Sequence, residues 1–240
     1  MPPMRGARLL TKSDIKDSLS LLDSAIEASE LLEGIAPIRF VTIGGMLAVS
    51  LFQNRKTTKD IDFLLDPNVD AVEEYRQEVF RVIRIVAERR GLNEDWMNDE
   101  LRIFVRRPNR LTLFLQSVEQ NLVVYRGRRI IVYAGRLDFA LERKLRRINE
   151  RDQNRPRDLD LSDAVALLHS LKGDGHPLSW NFVQKLDENA IGMPVGEAGI
   201  KAVSQKYIQL HGSQGVVEMN WDEESQRYRY LGLSQEWVYV

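Results

Sequence analysis

The sequence predicts an α+β protein with a helical, aromatic-rich C-terminal region. Three observations carry this: an amphipathic stripe at helical period near the N-terminus, two β-branched runs soon after it, and a return to helical period from Leu137. Within residues 11–32, Ile15, Leu19, Leu22, Ile26 and Leu31 recur behind Ser13 and Asp14, which read as capping residues, so a helix ending near Gly34 is expected. Residues 38–43 form a β-branched and aromatic strand stopped by Gly44-Gly45, and residues 46–52 follow as a short helix. After a polar loop at 54–59, the run Ile61-Asp62-Phe63-Leu64-Leu65 is a second strand closed by Asp66-Pro67-Asn68. A long helix over 69–90 places Val72, Val79, Val82, Ile83, Val86 and Ala87 on one side, with Gly91 as its C-cap.

Residues 93–96 open a short helical turn. Strands are predicted at 101–105, 111–115, 122–125 and 129–133, the last two flanking the turn Arg126-Gly127-Arg128. Leu137, Leu141, Leu145 and Ile148 mark one later helix; Leu161, Val165, Leu168 and Leu171 mark another, after Arg155-Pro156. Trp180, Phe182, Trp221, Tyr228, Tyr230, Trp237 and Tyr239 concentrate beyond, a content expected to pack rather than dangle. The expected division is residues 1–136 and 137–240.

Composition narrows the chemistry. The 240-residue chain has no cysteine, which excludes a disulfide framework, a thiolate zinc site and a thiol nucleophile. His169, His176 and His211 have no metal-ligand spacing. Neither a long apolar run nor a secretory leader is present, so a cytoplasmic, reducing setting without a membrane partner is expected. The 34 Lys and Arg nearly balance 35 Asp and Glu, a net charge of -1, yet residues 102–157 hold 15 basic and 5 acidic residues. Such a stretch is either an electrostatic footprint for phosphates or a set of solvated faces paired with acids elsewhere.

The stretch that carries chemistry joins Gly44-Gly45, between a strand and a helix, to Arg55-x-x-Thr58-x-Asp60-Ile61-Asp62. Asp60 and Asp62 alternate with Ile61, which puts two like charges on one strand face. A hard divalent cation relieves that repulsion and takes substrate phosphates as further ligands. The glycine pair lets main-chain N–H groups and the positive end of a helix approach a triphosphate.

In this order and at this separation, the two elements resemble the signature of the DNA polymerase β-like nucleotidyltransferase superfamily. The nearer likeness is to its abortive-infection-type toxin branch and related uncharacterised proteins, in which an Arg-x-x-Thr-like element, here Arg55 and Thr58, precedes the acid strand. That branch also carries a later lysine, here Lys144, and an Arg-rich, Asp-containing element, here within residues 155–164. The likeness spans about residues 38–170 and implies a nucleotidyltransferase-like mixed β-sheet flanked by helices. It further implies transfer of a nucleoside monophosphate from an NTP such as ATP to a hydroxyl on RNA, protein or a small molecule, with two Mg²⁺ or Mn²⁺ ions. Asp60 and Asp62 would hold the metals, Gly44 and Gly45 would cradle the triphosphate, and Arg55 and Lys144 would neutralise phosphate charge. Thr58 would shape the loop or bond a phosphate or sugar oxygen, and a toxin–antitoxin-like setting follows.

Lys144 and Arg55 read equally well as surface ion pairs, and Asp158, Asp160 and Asp163 as groups that cap and solvate their helix. The superfamily's third carboxylate has no counterpart on the predicted strands, and Glu119 and Asp138 only flank them. A catalytically reduced nucleotide- or RNA-binding module on the same fold is the alternative. A scaffold that self-associates through its aromatic tail is a third reading.

Overall fold

A computed structural model of the chain describes residues 8–150, 157–187 and 191–240. The chain divides into two compact units, residues 1–136 and 137–240.

The first unit opens with β1 (Leu10–Thr11) and α1 (Lys12–Glu27). The N-cap of α1 is Thr11, whose hydroxyl accepts from the Asp14 N–H while the Asp14 carboxylate accepts from the Thr11 N–H, a reciprocal capping box. The single helix expected to Gly34 breaks at Ala28-Ser29 and resumes as α2 (Glu30–Glu33). Next come β2 (Ile38–Thr42), a single π-helical turn at Leu47–Leu51, β3 (Thr57–Thr58) and β4 (Ile61–Leu65). Two residues of the expected polar loop thus form β3, which pairs with β1.

Asp66 caps α3 (Pro67–Asp70) by accepting from the Asn68 N–H, and α4 (Glu73–Arg90) begins only after a break, four residues later than the periodicity suggests. Gly91 ends α4 with φ of 60°, the left-handed conformation that glycine adopts without strain. The unit closes with β5 (Met97–Asn98), α5 (Arg110–Gln120), β6 (Val123–Arg126) and β7 (Ile130–Ala134).

The strands expected at 101–105 and 111–115 are absent. The first is a 3-10 turn, Glu100–Ile103, and the second lies inside α5. In both runs the outward residues imitate alternation. Ile103 is 73% exposed between buried Leu101 and Val105, and Leu111 and Leu115 face solvent beside buried Leu113 and Phe114.

The mixed sheet has the order β5-β4-β2-β7-β6. β2 runs parallel to β7 and antiparallel to β4, while β5 runs parallel to β4. One face, with Ile38, Phe40, Phe63, Leu65, Ile130 and Val132, is buried with Leu19 and Leu22 of α1 and Val79, Val82 and Val86 of α4. Phe40 and Phe63 meet edge to face at 5.2 Å, worth about 0.5–1.5 kcal/mol beyond their burial. Period 2 turns Asp62 and Leu64 to the opposite face. There α5 packs on β2 and β7, and the Arg39 guanidinium lies 5.7 Å from the Phe114 ring.

The second unit contains α6 (Leu137–Asn149), α7 (Arg157–Lys172), β8 (Leu178–Ser179), α8 (Trp180–Gln184), α9 (Glu197–His211) and β9 (Val216–Val217). Arg155 and Pro156, the expected break before α7, lie outside the described residues. Helices α6, α7 and α9 pack on one another. A three-stranded antiparallel meander follows, formed by β10 (Asn220–Asp222), β11 (Arg227–Leu231) and β12 (Trp237–Tyr239). The tail therefore folds, but of the aromatics expected to pack only Tyr230 is buried. Trp221, Tyr228, Trp237 and Tyr239 stay exposed, with Trp221 against Tyr228 and the Arg229 guanidinium 4.5 Å from the Trp237 ring. No helix among the described residues is long and apolar enough to cross a membrane.

Candidate functional site

The site is assembled where β2 and β4 run side by side. Thr42 pairs with Phe63 in the antiparallel register, so the chain leaving β2 at Gly44 comes opposite the start of β4. The Thr42 hydroxyl donates to the Asp62 carbonyl at 2.8 Å and ties the two strand ends together. Gly44 has φ of 75°, and a Cβ placed there would be 3.9 Å from Asp62 Oδ2. Gly45 is required by packing, because a Cβ on it would overlap Thr58 Oγ1 and sit 2.9 Å from the Thr58 Cβ. The Thr58 hydroxyl in turn donates to the Asp60 carbonyl at 3.2 Å. Thr58 thus positions the acid segment and occupies the volume that a side chain at residue 45 would need.

Asp60 lies one residue before β4 rather than inside it, as the sequence had suggested, and Asp62 is the second residue of the strand. Both are half-buried, as is Arg55, whose N–H donates to the Ala48 carbonyl at 3.3 Å. On its other side Asp62 pairs in register with Asn98 of β5. Gly44, Gly45, Thr58, Asp60 and Asp62 are therefore contiguous in the first unit. The helix that follows the glycines is one short π turn instead of the regular helix expected, and Gly44, which has no Cβ, lies beside the Asp62 carboxylate.

Among the described residues no group of three or more His, Asp or Glu side chains is placed to hold a metal. β7, the parallel neighbour of β2, reads Ile-Ile-Val-Tyr-Ala and offers no carboxylate. Glu119 lies on α5 and Asp138 in the first turn of α6. Two aspartates suit a hard cation that completes its shell with water and substrate phosphate oxygens.

Lys144 belongs to the second unit. Its ammonium lies 2.7 Å from Asp160 Oδ1 and 2.6 Å from Asp163 Oδ2, with the lysine side chain 5% exposed and that of Asp163 3%. Asp160 and Asp163 therefore do not solvate α7 as expected: they turn inward, three residues apart on one helix face, to meet the lysine of α6. Asp158 alone of the three is exposed. Arg147 reaches Asp160 at 3.8 Å. The i, i+3 spacing of the two acids after a lysine-bearing helix is the signal that could have revealed the pairing.

No protein-family model, no curated protein and no solved structure matches the chain.

Proposed function

We propose that the chain is a metal-dependent nucleotidyltransferase that moves a nucleoside monophosphate from an NTP to a hydroxyl acceptor. The observation that carries this reading is the approach of Gly44 to the Asp62 carboxylate across adjacent strands of a mixed sheet, with Gly45 packed on Thr58, whose hydroxyl holds the Asp60 main chain. In the proposal the two aspartates hold Mg²⁺ or Mn²⁺, which supplies charge neutralisation and lowers the pKa of the attacking hydroxyl when bound. Gly44 and Gly45 present N–H groups to the triphosphate, Thr58 fixes the acid loop, and Arg55 neutralises phosphate charge.

The test is pyrophosphate release from labelled NTPs with Mg²⁺ over a panel of RNA, protein and small-molecule acceptors. Asp60→Asn and Asp62→Asn should each lower turnover by about 10²-fold or more with the fold intact by circular dichroism. If the wild-type chain neither binds NTP nor releases pyrophosphate, the proposal is lost. Because β7 lacks an acid, NTP binding without turnover would favour the binding-module reading.

A further inference from the structure

A cavity of about 630 Å³ opens in the first unit beyond the C-terminal half of β4, within the roughly 300–1,000 Å³ typical of small-molecule sites. Leu64 forms part of its lining on the sheet face that Asp62 occupies, and the two residues are about 7 Å apart along the strand. The first turns of α4 supply Arg76 and Phe80, and the segment from β5 into α5 supplies Arg102, Arg107, Arg110 and Leu111.

Charge in this cavity is unevenly answered. Arg76 is spent on Asp70 and Asp99, each at 3.2 Å, and Arg102 on Asp99 at 2.9 Å. Burial works to raise the Asp99 carboxyl, but the hydrogen bonds from Arg102 and Arg76 outweigh it and hold the group below its ordinary range. The remaining acid, Glu73, accepts from Gln77, which leaves its charge uncancelled, so the four arginines of the lining exceed its three acids by one. Among the described residues Arg110 donates only to the carbonyls of Val105 and Arg102, at 3.1 and 2.8 Å, which fixes the guanidinium without cancelling its charge. Arg107 makes no ion pair among the described residues. Two guanidiniums, one pinned and one open, thus share the lining with Leu111 and with Phe80, whose ring lies 5.1 Å from the Arg76 guanidinium. A fork of N–H donors beside an apolar surface suits a phosphate on a ring body.

We infer that this cavity binds a small phosphomonoester with a ring body, of sugar-phosphate or mononucleotide size, through Arg107 and Arg110, and that this ligand is the hydroxyl acceptor. The second clause rests on the nucleotidyl-transfer reading. In that step the acceptor oxygen bonds to the α-phosphorus of the NTP as the bond from that phosphorus to the bridging oxygen breaks. Pyrophosphate leaves, and the hydroxyl proton passes to water.

The experiment is isothermal titration of the full chain with ribose 5-phosphate and with AMP, against ribose and adenosine. The phosphorylated probes should bind at about millimolar or tighter, and their unphosphorylated counterparts at least about tenfold more weakly. Arg107→Ala should weaken phosphate-dependent binding about tenfold, whereas Arg128→Ala, at the exposed hairpin tip, should leave it within about twofold. The Asp60→Asn/Asp62→Asn double variant should retain binding. Absence of binding by both phosphorylated probes, or equal losses in the Arg107 and Arg128 variants, would overturn the inference. Binding that depends on Arg107 without any transfer from NTP would leave the cavity assignment standing and remove the acceptor role together with the catalytic reading.

Discussion

Replacing Lys144 by methionine keeps an unbranched side chain of similar length and deletes only the charge and its donors. Two carboxylates, at 2.7 and 2.6 Å, then lose their cation in a place where the side chain of Asp163 is 3% exposed and that of Asp160 12%. An exposed pair would cost about 0–1 kcal/mol on removal, whereas an uncompensated buried charge costs about 3–5 kcal/mol. The burial of Lys144 and Asp163 places Lys144→Met in the second class. Arg147, 3.8 Å from Asp160, can answer part of the loss. Urea denaturation of the full chain, with amide exchange followed in α6 and α7, measures the effect. Adding Asp160→Asn and Asp163→Asn to Lys144→Met removes the stranded charges and should recover at least half of the loss. A cost below about 1 kcal/mol for the single variant, or no recovery in the triple variant, would show that the lysine does not hold these helices together.

Three further outcomes are expected in the first unit. Gly45→Ala forces a Cβ into Thr58 and should destabilise the unit by about 1–3 kcal/mol, and Thr58→Ala on that background should return part of the loss in thermal melts. Asp23 accepts from the N–H groups of Arg129 and Ile130, both at 2.8 Å, and of Arg128 at 3.2 Å, so Asp23→Ala strands three donors of the β6–β7 turn. It should cost about 1–3 kcal/mol and speed amide exchange at residues 128–130, and unchanged exchange there would refute the assignment. Hydrogen bonding from Arg81, aided by Ser29, depresses the Glu78 carboxyl from 4.5 to about 2. A depressed folded pKa contributes stability that is present above about 4.5 and is lost as pH falls toward 2. Glu78→Gln should therefore flatten the stability profile in that window, and a profile identical to wild type would count against the linkage.

Much of the fold is legible locally. The α1 stripe, both strands around the glycine pair, the Gly91 cap, the Arg126-Gly127-Arg128 turn and helices α6 and α7 all follow from apolar period and turn chemistry within a few residues. The candidate site is legible for a related reason. Gly44, Gly45, Thr58, Asp60 and Asp62 lie within 19 positions of one another, and a single β2–β4 pairing brings them together.

Apolar period sets the order of elements wherever one period dominates, and Gly44, Gly45, Thr58, Asp60 and Asp62 lie close enough in the chain to be joined by one pairing. Tertiary structure alone decided whether the apolar runs at 101–105 and 111–115 were strands, because their exposed Ile103, Leu111 and Leu115 mimic alternation and only packing reveals which residues turn inward. It also decided that Asp160 and Asp163 face Lys144 instead of water, and that Arg107 and Arg110 border a cavity beside Leu64. The physical reason is common to all three. Periodicity states which residues share a face of one element, but the direction of that face, and the charge waiting opposite it, depends on residues from elements distant in the chain.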